Sequence, residues 1–146
     1  MMDLYSVEGI IAEPAGALAS AAVAAGLVLP TGPAICVLSG GNNDLTRYSE
    51  VQERALVYKG LRHYFLVNFP QTPGALRHFL DDVLGPDDDI VLFDYIKRSN
   101  REVGPALVGI EIDQPESLPA LIERMKASPL DIEVLPASSP ILGLLV

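Results

Sequence analysis

Ser39-Gly40-Gly41-Asn42 is the stretch whose residue types could do chemistry. Its glycines permit positive φ and let a backbone come close to a ligand, and Ser39 would place a hydroxyl at the carboxyl end of a strand, where α/β sheets bind ligands. That is the form of a cofactor cradle. The same residues, with Asn43 and Asp44, also suit a plain loop or a cap for a following helix. Cys36, the only cysteine, lies just upstream in the apolar run Ala34-Ile35-Cys36-Val37-Leu38, where it reads as a small buried hydrophobe before it reads as a nucleophile. One cysteine allows no internal disulfide and no thiolate cluster, and two histidines, His63 and His78, are too few to suggest a metal site.

Composition narrows what such a cradle could serve. At 146 residues, 49% of them apolar, the chain suffices for one domain, or for a small domain with a piece of another attached. Ten basic against nineteen acidic residues give a net charge of -9, which repels nucleic acid and anionic lipid, so neither is an expected partner. Ala15 to Leu29 is too short and too rich in alanine and glycine to cross a membrane, and Asp3, Glu8 and Glu13 stand where a targeting peptide carries basic residues. A reducing cytoplasm suits the single cysteine.

Glu13-Pro14-Ala15-Gly16-Ala17 predicts a tight turn opening an alanine-rich helix that ends at Gly26, with Pro30 to Pro33 as the connection beyond it. Ala34 to Leu38, continuous and apolar, predicts a strand covered on both faces, at the edge of a larger α/β sheet. Arg47 to Arg62 turns charged and predicts a solvated linking helix stopped at Gly60. Beyond it the pattern becomes self-sufficient. His63 to Phe69 alternates, with Phe65, Val67 and Phe69 on one face. Thr72-Pro73-Gly74 offers an N-cap and a proline at the first helical position, and Leu76, Phe79, Leu80, Val83 and Leu84 then recur at spacings of three and four up to Gly85-Pro86. Strands over Ile90 to Lys97 and Ala106 to Ile112 follow, then a helix over Pro115 to Lys126 with Leu118, Leu121, Ile122 and Met125 as its stripe, then a strand over Asp131 to Leu135. The resulting β-α-β-β-α-β order predicts an antiparallel ferredoxin-like sheet with both helices on one face.

Three motifs carry a family resemblance: Glu8 to Ala17, Ser39 to Asn42, and His63-Tyr64-Phe65-Leu66-Val67 with Phe69-Pro70-Gln71 and Pro73-Gly74. In order and spacing they resemble the C-terminal part of biosynthetic threonine dehydratase, a pyridoxal-phosphate lyase that turns threonine into 2-oxobutanoate and ammonia at the start of isoleucine synthesis. The resemblance weakens after about Pro129. It implies an α+β chain in three parts: a remnant of an α/β fold-type II pyridoxal-phosphate domain over 1–47, a linker helix over 48–61, and a ferredoxin-like (βαββαβ), ACT-like regulatory domain over 62–146. It also implies that the chain is a piece of a longer enzyme.

For the cradle, the resemblance implies that Ser39 hydrogen-bonds the cofactor's pyridine nitrogen, with Gly40, Gly41, Asn42 and Glu13 along the same wall. Glu13 equally reads as an acid at a helix start. The Schiff-base lysine and the glycine-rich phosphate cup are expected upstream, because Lys59, Lys97 and Lys126 all fall in the linker or the second domain. No catalytic residue is therefore assigned, and the chain alone is expected neither to hold pyridoxal phosphate firmly nor to deaminate threonine.

For the second domain, the resemblance implies regulation by an amino acid, isoleucine foremost or valine, within a homo-oligomeric enzyme. A free amino acid needs an anion site, a cation site and an apolar pocket. Gln71, Thr72, Pro73 and Gly74 can offer backbone N–H groups at a helix N-terminus to the carboxylate, while Asp94 or the Asp87-Asp88-Asp89 run could attract the ammonium. The acid run also reads as a solvated turn, the phenylalanines as core, and Asn100-Arg101 as turn formers. A free-standing amino-acid sensor that dimerises through its sheet edges is the other reading.

Overall fold

The computed structural model describes residues 1–40, 46–95 and 102–141, which fall in two compact units, Met1–Ala55 and Leu56–Val146. In the first unit α1 (Met2–Glu8), which nothing in the sequence pattern announces, is closed by Gly9 in a left-handed backbone at φ 68. The alanine-rich helix is shorter than expected. Residues 14–17 turn first, and α2 runs only from Leu18 to Ala24, with the chain leaving through Gly26 at φ 68. Small side chains make the packing here: Ala12 and Ala17 are buried, the Tyr48 hydroxyl donates to the Ala12 carbonyl at 3.5 Å, and the Tyr5 and Tyr48 rings meet edge to face at 6.2 Å.

The expected strand over Ala34 to Leu38 is not there. The segment forms no strand, and Ile35 and Val37 are 94% and 80% exposed. A strand covered on both faces needs neighbours for its backbone, and the described residues of this unit contain no other strand to pair with. The linking helix is present as α3 (Thr46–Tyr58), and Gly60 at φ 70 ends it as the sequence predicts.

The second unit holds the sheet. Successive residues of an extended strand face opposite sides, so β1 (Arg62–Pro70) buries Phe65, Val67 and Phe69 on one face and turns Tyr64 and Leu66 to the other. After α4 (Ala75–Asp82) come β2 (Asp89–Tyr95) and β3 (Val103–Glu111), then α5 (Leu118–Ala127), entered through a 3-10 turn at Pro115–Ser117, and β4 (Asp131–Leu135). All described pairings are antiparallel, in the order β2-β3-β1-β4. That is the ferredoxin-like arrangement.

Phe79 and Val83 of the α4 segment and Leu121 and Met125 of α5 share one core with Phe65, Val108 and Ile110, which places both helices on the same face of the sheet. Each large side chain buried there contributes about 1.5–3 kcal/mol through removal of apolar surface from water. Val57 of α3 packs with Tyr64, Leu92, Leu107 and Leu135 on the opposite face. Burial there pushes the Tyr64 hydroxyl above its ordinary pKa, with the Arg62 charge opposing the shift.

β3 starts at Val103, ahead of the Ala106 start that the sequence predicts. Pro105 pairs with Asn68 of β1 and lies beyond Ala106, the last described partner of β2, so among the described residues no second neighbour calls on it for a donor. Gly104 is required by packing rather than by a turn: a Cβ there would come within 2.8 Å of Tyr95 Cε2.

Candidate functional site

The loop Gln71–Gly74 joins β1 to α4, and the Gln71 N–H ties its start to the Glu102 carbonyl at 2.9 Å. Thr72 is not the N-cap that the sequence suggests. Gly74 occupies that position at φ 91, so the left-handed backbone delays the helix to Ala75 and leaves Pro73 outside it. No side chain caps α4. The Ala75 N–H donates back to the Thr72 carbonyl at 3.4 Å, so the Leu76 and Arg77 N–H groups are the ones the helix start can present to a carboxylate.

Beside this loop a cavity of about 400 Å³ opens between α4 and the edge strand β2. Leu76 and Leu80 line its helix side, Phe93 and Tyr95 its strand side, and Phe69 its base, with centroids 6.0 Å from Phe93 and 5.8 Å from Tyr95. Gln71 lines it too, and the Gln71 Nε2 is buried with no hydrogen-bond partner. A buried donor left unpaired costs about 1–3 kcal/mol, so this amide gains from any acceptor that reaches it. The sequence pattern places Phe93 in the core, against which it does pack part-buried, but does not set it on a cavity wall with Tyr95 and Arg77. The available signal was the width of the apolar stripe on α4: Phe79 and Val83 fill the core, while Leu76 and Leu80 stay about 42% and 41% exposed on the cavity side.

A second cavity of about 320 Å³ lies against the same loop, lined by Thr72, Pro73, His78, Asp82, Ser128 and Leu130.

The acids expected to meet an ammonium are elsewhere. Asp94 alternates with Phe93 and Tyr95 and pairs with Leu107, so it is exposed on the other face of the sheet, away from Gln71–Gly74. Asp88 lies past the far end of α4, an eight-residue helix about 12 Å long, and its carboxylate accepts from Arg124 and from the Gly85 N–H. Asp87 and Asp89 are exposed. Asn100 and Arg101 lie outside the described residues.

In the first unit, Ser39 and Glu13 do come together. Ser39 Oγ donates to Glu13 Oε1 at 3.0 Å, and the Glu13 N–H donates to the Ser39 carbonyl at 3.2 Å. The glycines make that approach possible: a Cβ on Gly16 would fall 2.0 Å from the Ser39 carbonyl oxygen, and one on Gly40 2.3 Å from that of Ile11. Gly41 and Asn42 lie outside the described residues. Pyridoxal phosphate would need a lysine amine, and residues 1–55 contain no lysine, while the Ser39 hydroxyl already spends its proton on Glu13. These residues do not by themselves fit the group.

The fold and the cavity define a small α+β domain of ferredoxin-like topology, compatible with an ACT-like regulatory domain. Residues 53–143 match the model of the C-terminal regulatory domain of threonine dehydratase, and the chain belongs to that family. Over 140 residues it is 57% identical to the L-threonine dehydratase biosynthetic IlvA of Corynebacterium glutamicum and 59% identical to that of Mycobacterium tuberculosis, covering 96% of this chain and 32% and 33% of theirs. The protein of the same name from Bacillus subtilis is 52% identical over 130 residues, 88% of this chain and 31% of its own. The chain thus spans about a third of the length of the curated relatives it matches. Among the described residues no helix is long and apolar enough to cross a membrane.

Proposed function

We propose that this domain senses a branched-chain amino acid, isoleucine before valine, in the cavity beside Gln71–Gly74, and so regulates a cytoplasmic, homo-oligomeric threonine dehydratase. The observation that carries the reading is the conjunction of an uncapped helix start, a buried amide without a partner and an aliphatic–aromatic wall around one cavity of about 400 Å³. The ligand carboxylate would take the N–H groups at the start of α4, and its branched side chain would lie on Leu76, Leu80 and Phe93.

In the longer enzyme the reaction would be threonine to 2-oxobutanoate and ammonia, with pyridoxal phosphate supplying the electron sink. Residues 1–47 would then form part of the cofactor domain, with Ser39 and Glu13 on its wall, 48–61 the link and 62–146 the sensor. Effector binding would bias the packing of the domains with a coupling of about 1–3 kcal/mol. Calorimetric titration of the chain with isoleucine and with valine tests the reading. Heat in the micromolar range or weaker, with amide shifts at Leu76 and Arg77, is the expected outcome, and no heat with either amino acid overturns it.

A further inference from the structure

We infer that the cavity beside Gln71–Gly74 recognises its ligand through the carboxylate and the branched chain alone, and therefore takes short branched monocarboxylates that lack an amino group, 2-oxo acids included. This rests on the effector reading for its location and goes beyond it in chemistry. Among the described residues, the side chains lining the cavity supply the amide of Gln71, the hydroxyls of Thr72 and Tyr95 and the guanidinium of Arg77, and no carboxylate.

The acids nearby are placed otherwise: Asp81 is an exposed partner of Arg77 at 3.6 Å, Asp82 lines the second cavity, Asp88 is held by Arg124, Asp94 is on the opposite face of the sheet, and Glu102, whose carbonyl accepts the Gln71 N–H, is exposed and does not line the cavity. An ammonium brought into this cavity sheds water and meets no anion, an uncompensated desolvation that opposes binding. A carboxylate, by contrast, meets the N–H groups of the helix start and the unpaired Gln71 Nε2. Arg77 is largely in solvent, so its repulsion of a cation is screened, and the absence of an acid decides the balance. The amino group of a bound amino acid thus adds nothing to affinity. A domain built this way responds to a branched amino acid and to the deaminated acid of the same skeleton.

Three probes on the full 146-residue chain test this by calorimetry and backbone-amide NMR: L-isoleucine, 3-methylpentanoate and 2-methylbutylamine. The inference expects 3-methylpentanoate to bind within about threefold of isoleucine or tighter, with shifts at Leu76 and Arg77, and the amine to leave those amides unmoved. In Gln71→Met the acid should bind about five- to tenfold more weakly, the worth of one hydrogen bond, while the amides of α5 keep their positions and report an intact fold. Isoleucine binding more than about threefold tighter than the acid, or the amine competing with it, overturns the inference and leaves the effector reading standing. Binding of the acid without isoleucine supports the inference and removes the effector reading. If neither binds, both fall.

Discussion

The Arg124 guanidinium closes on the Asp88 carboxylate at 2.6 Å, and the same oxygen accepts the Gly85 N–H at 2.7 Å. Arg124 Nε also donates to the Val83 carbonyl at 2.6 Å, so one arginine on α5 satisfies the C-terminal end of α4, where a positive charge complements the helix dipole. The clamp holds α4 at the end opposite the cavity. The Asp88 side chain is only 7% exposed, so Arg124→Met strands an acceptor with little water around it. We expect a loss of about 2–3 kcal/mol in urea unfolding, and a change below about 0.5 would show the clamp to be energetically idle.

The two faces of α4 should respond in opposite ways to truncation. Phe79 is fully buried against Phe69, with ring centroids 5.5 Å apart, and Phe79→Ala should cost about 3–5 kcal/mol of stability. Leu80 is partly exposed on the cavity wall, so Leu80→Ala should cost less than about 1 kcal/mol yet weaken effector binding at least threefold, as unfolding curves and titration would show side by side.

Gly104→Ala tests the strand side of the cavity. Its Cβ would lie 2.8 Å from Tyr95 Cε2, so the ring must swing away from its place on the wall. The expected result is a stability loss of about 1–3 kcal/mol together with reduced effector affinity. Unchanged affinity would remove Tyr95 from the site.

Tyr64 gives the domain an alkaline sensitivity. Burial raises its pKa in the folded state, so the neutral phenol is favoured by folding, and the associated stability is complete below the ordinary tyrosine value near 10. It is lost as pH rises from there through the raised folded value. Absorbance titration, compared with that of Tyr64→Phe, should show Tyr64 ionising above the ordinary tyrosine value, and Tyr64→Phe should flatten the fall in stability above about pH 10. A Tyr64 that titrates at the ordinary value would contradict the burial.

Gly16→Ala should separate Glu13 from Ser39, because the new methyl would meet backbone rather than a side chain that can turn aside. The Glu13 amide, now donating to the Ser39 carbonyl, should then exchange its hydrogen faster. Exchange that stays slow would mean the two segments relax around the methyl.

Much was legible in the chain itself. Period-two alternation in His63 to Phe69 and the spacings of three and four after Gly74 encode strand and helix through local backbone geometry, so the order of elements, the ferredoxin-like sheet and the family motifs all follow from residue types. Meetings between distant segments did not. Ala34 to Leu38 has the composition of a buried strand, yet a strand exists only where partners supply its hydrogen bonds. Asp94 has the charge for an ammonium site, but strand pairing sets its face, and a step of one residue along β2 separates it from the cavity that Phe93 and Tyr95 line. Arg124 and Asp88 stand 36 residues apart, and only the packing of two helices on one sheet brings them to 2.6 Å. Local periodicity thus specified what each segment is, whereas its neighbours were decided by the pairing register and helix packing of the assembled chain, which no window of sequence contains.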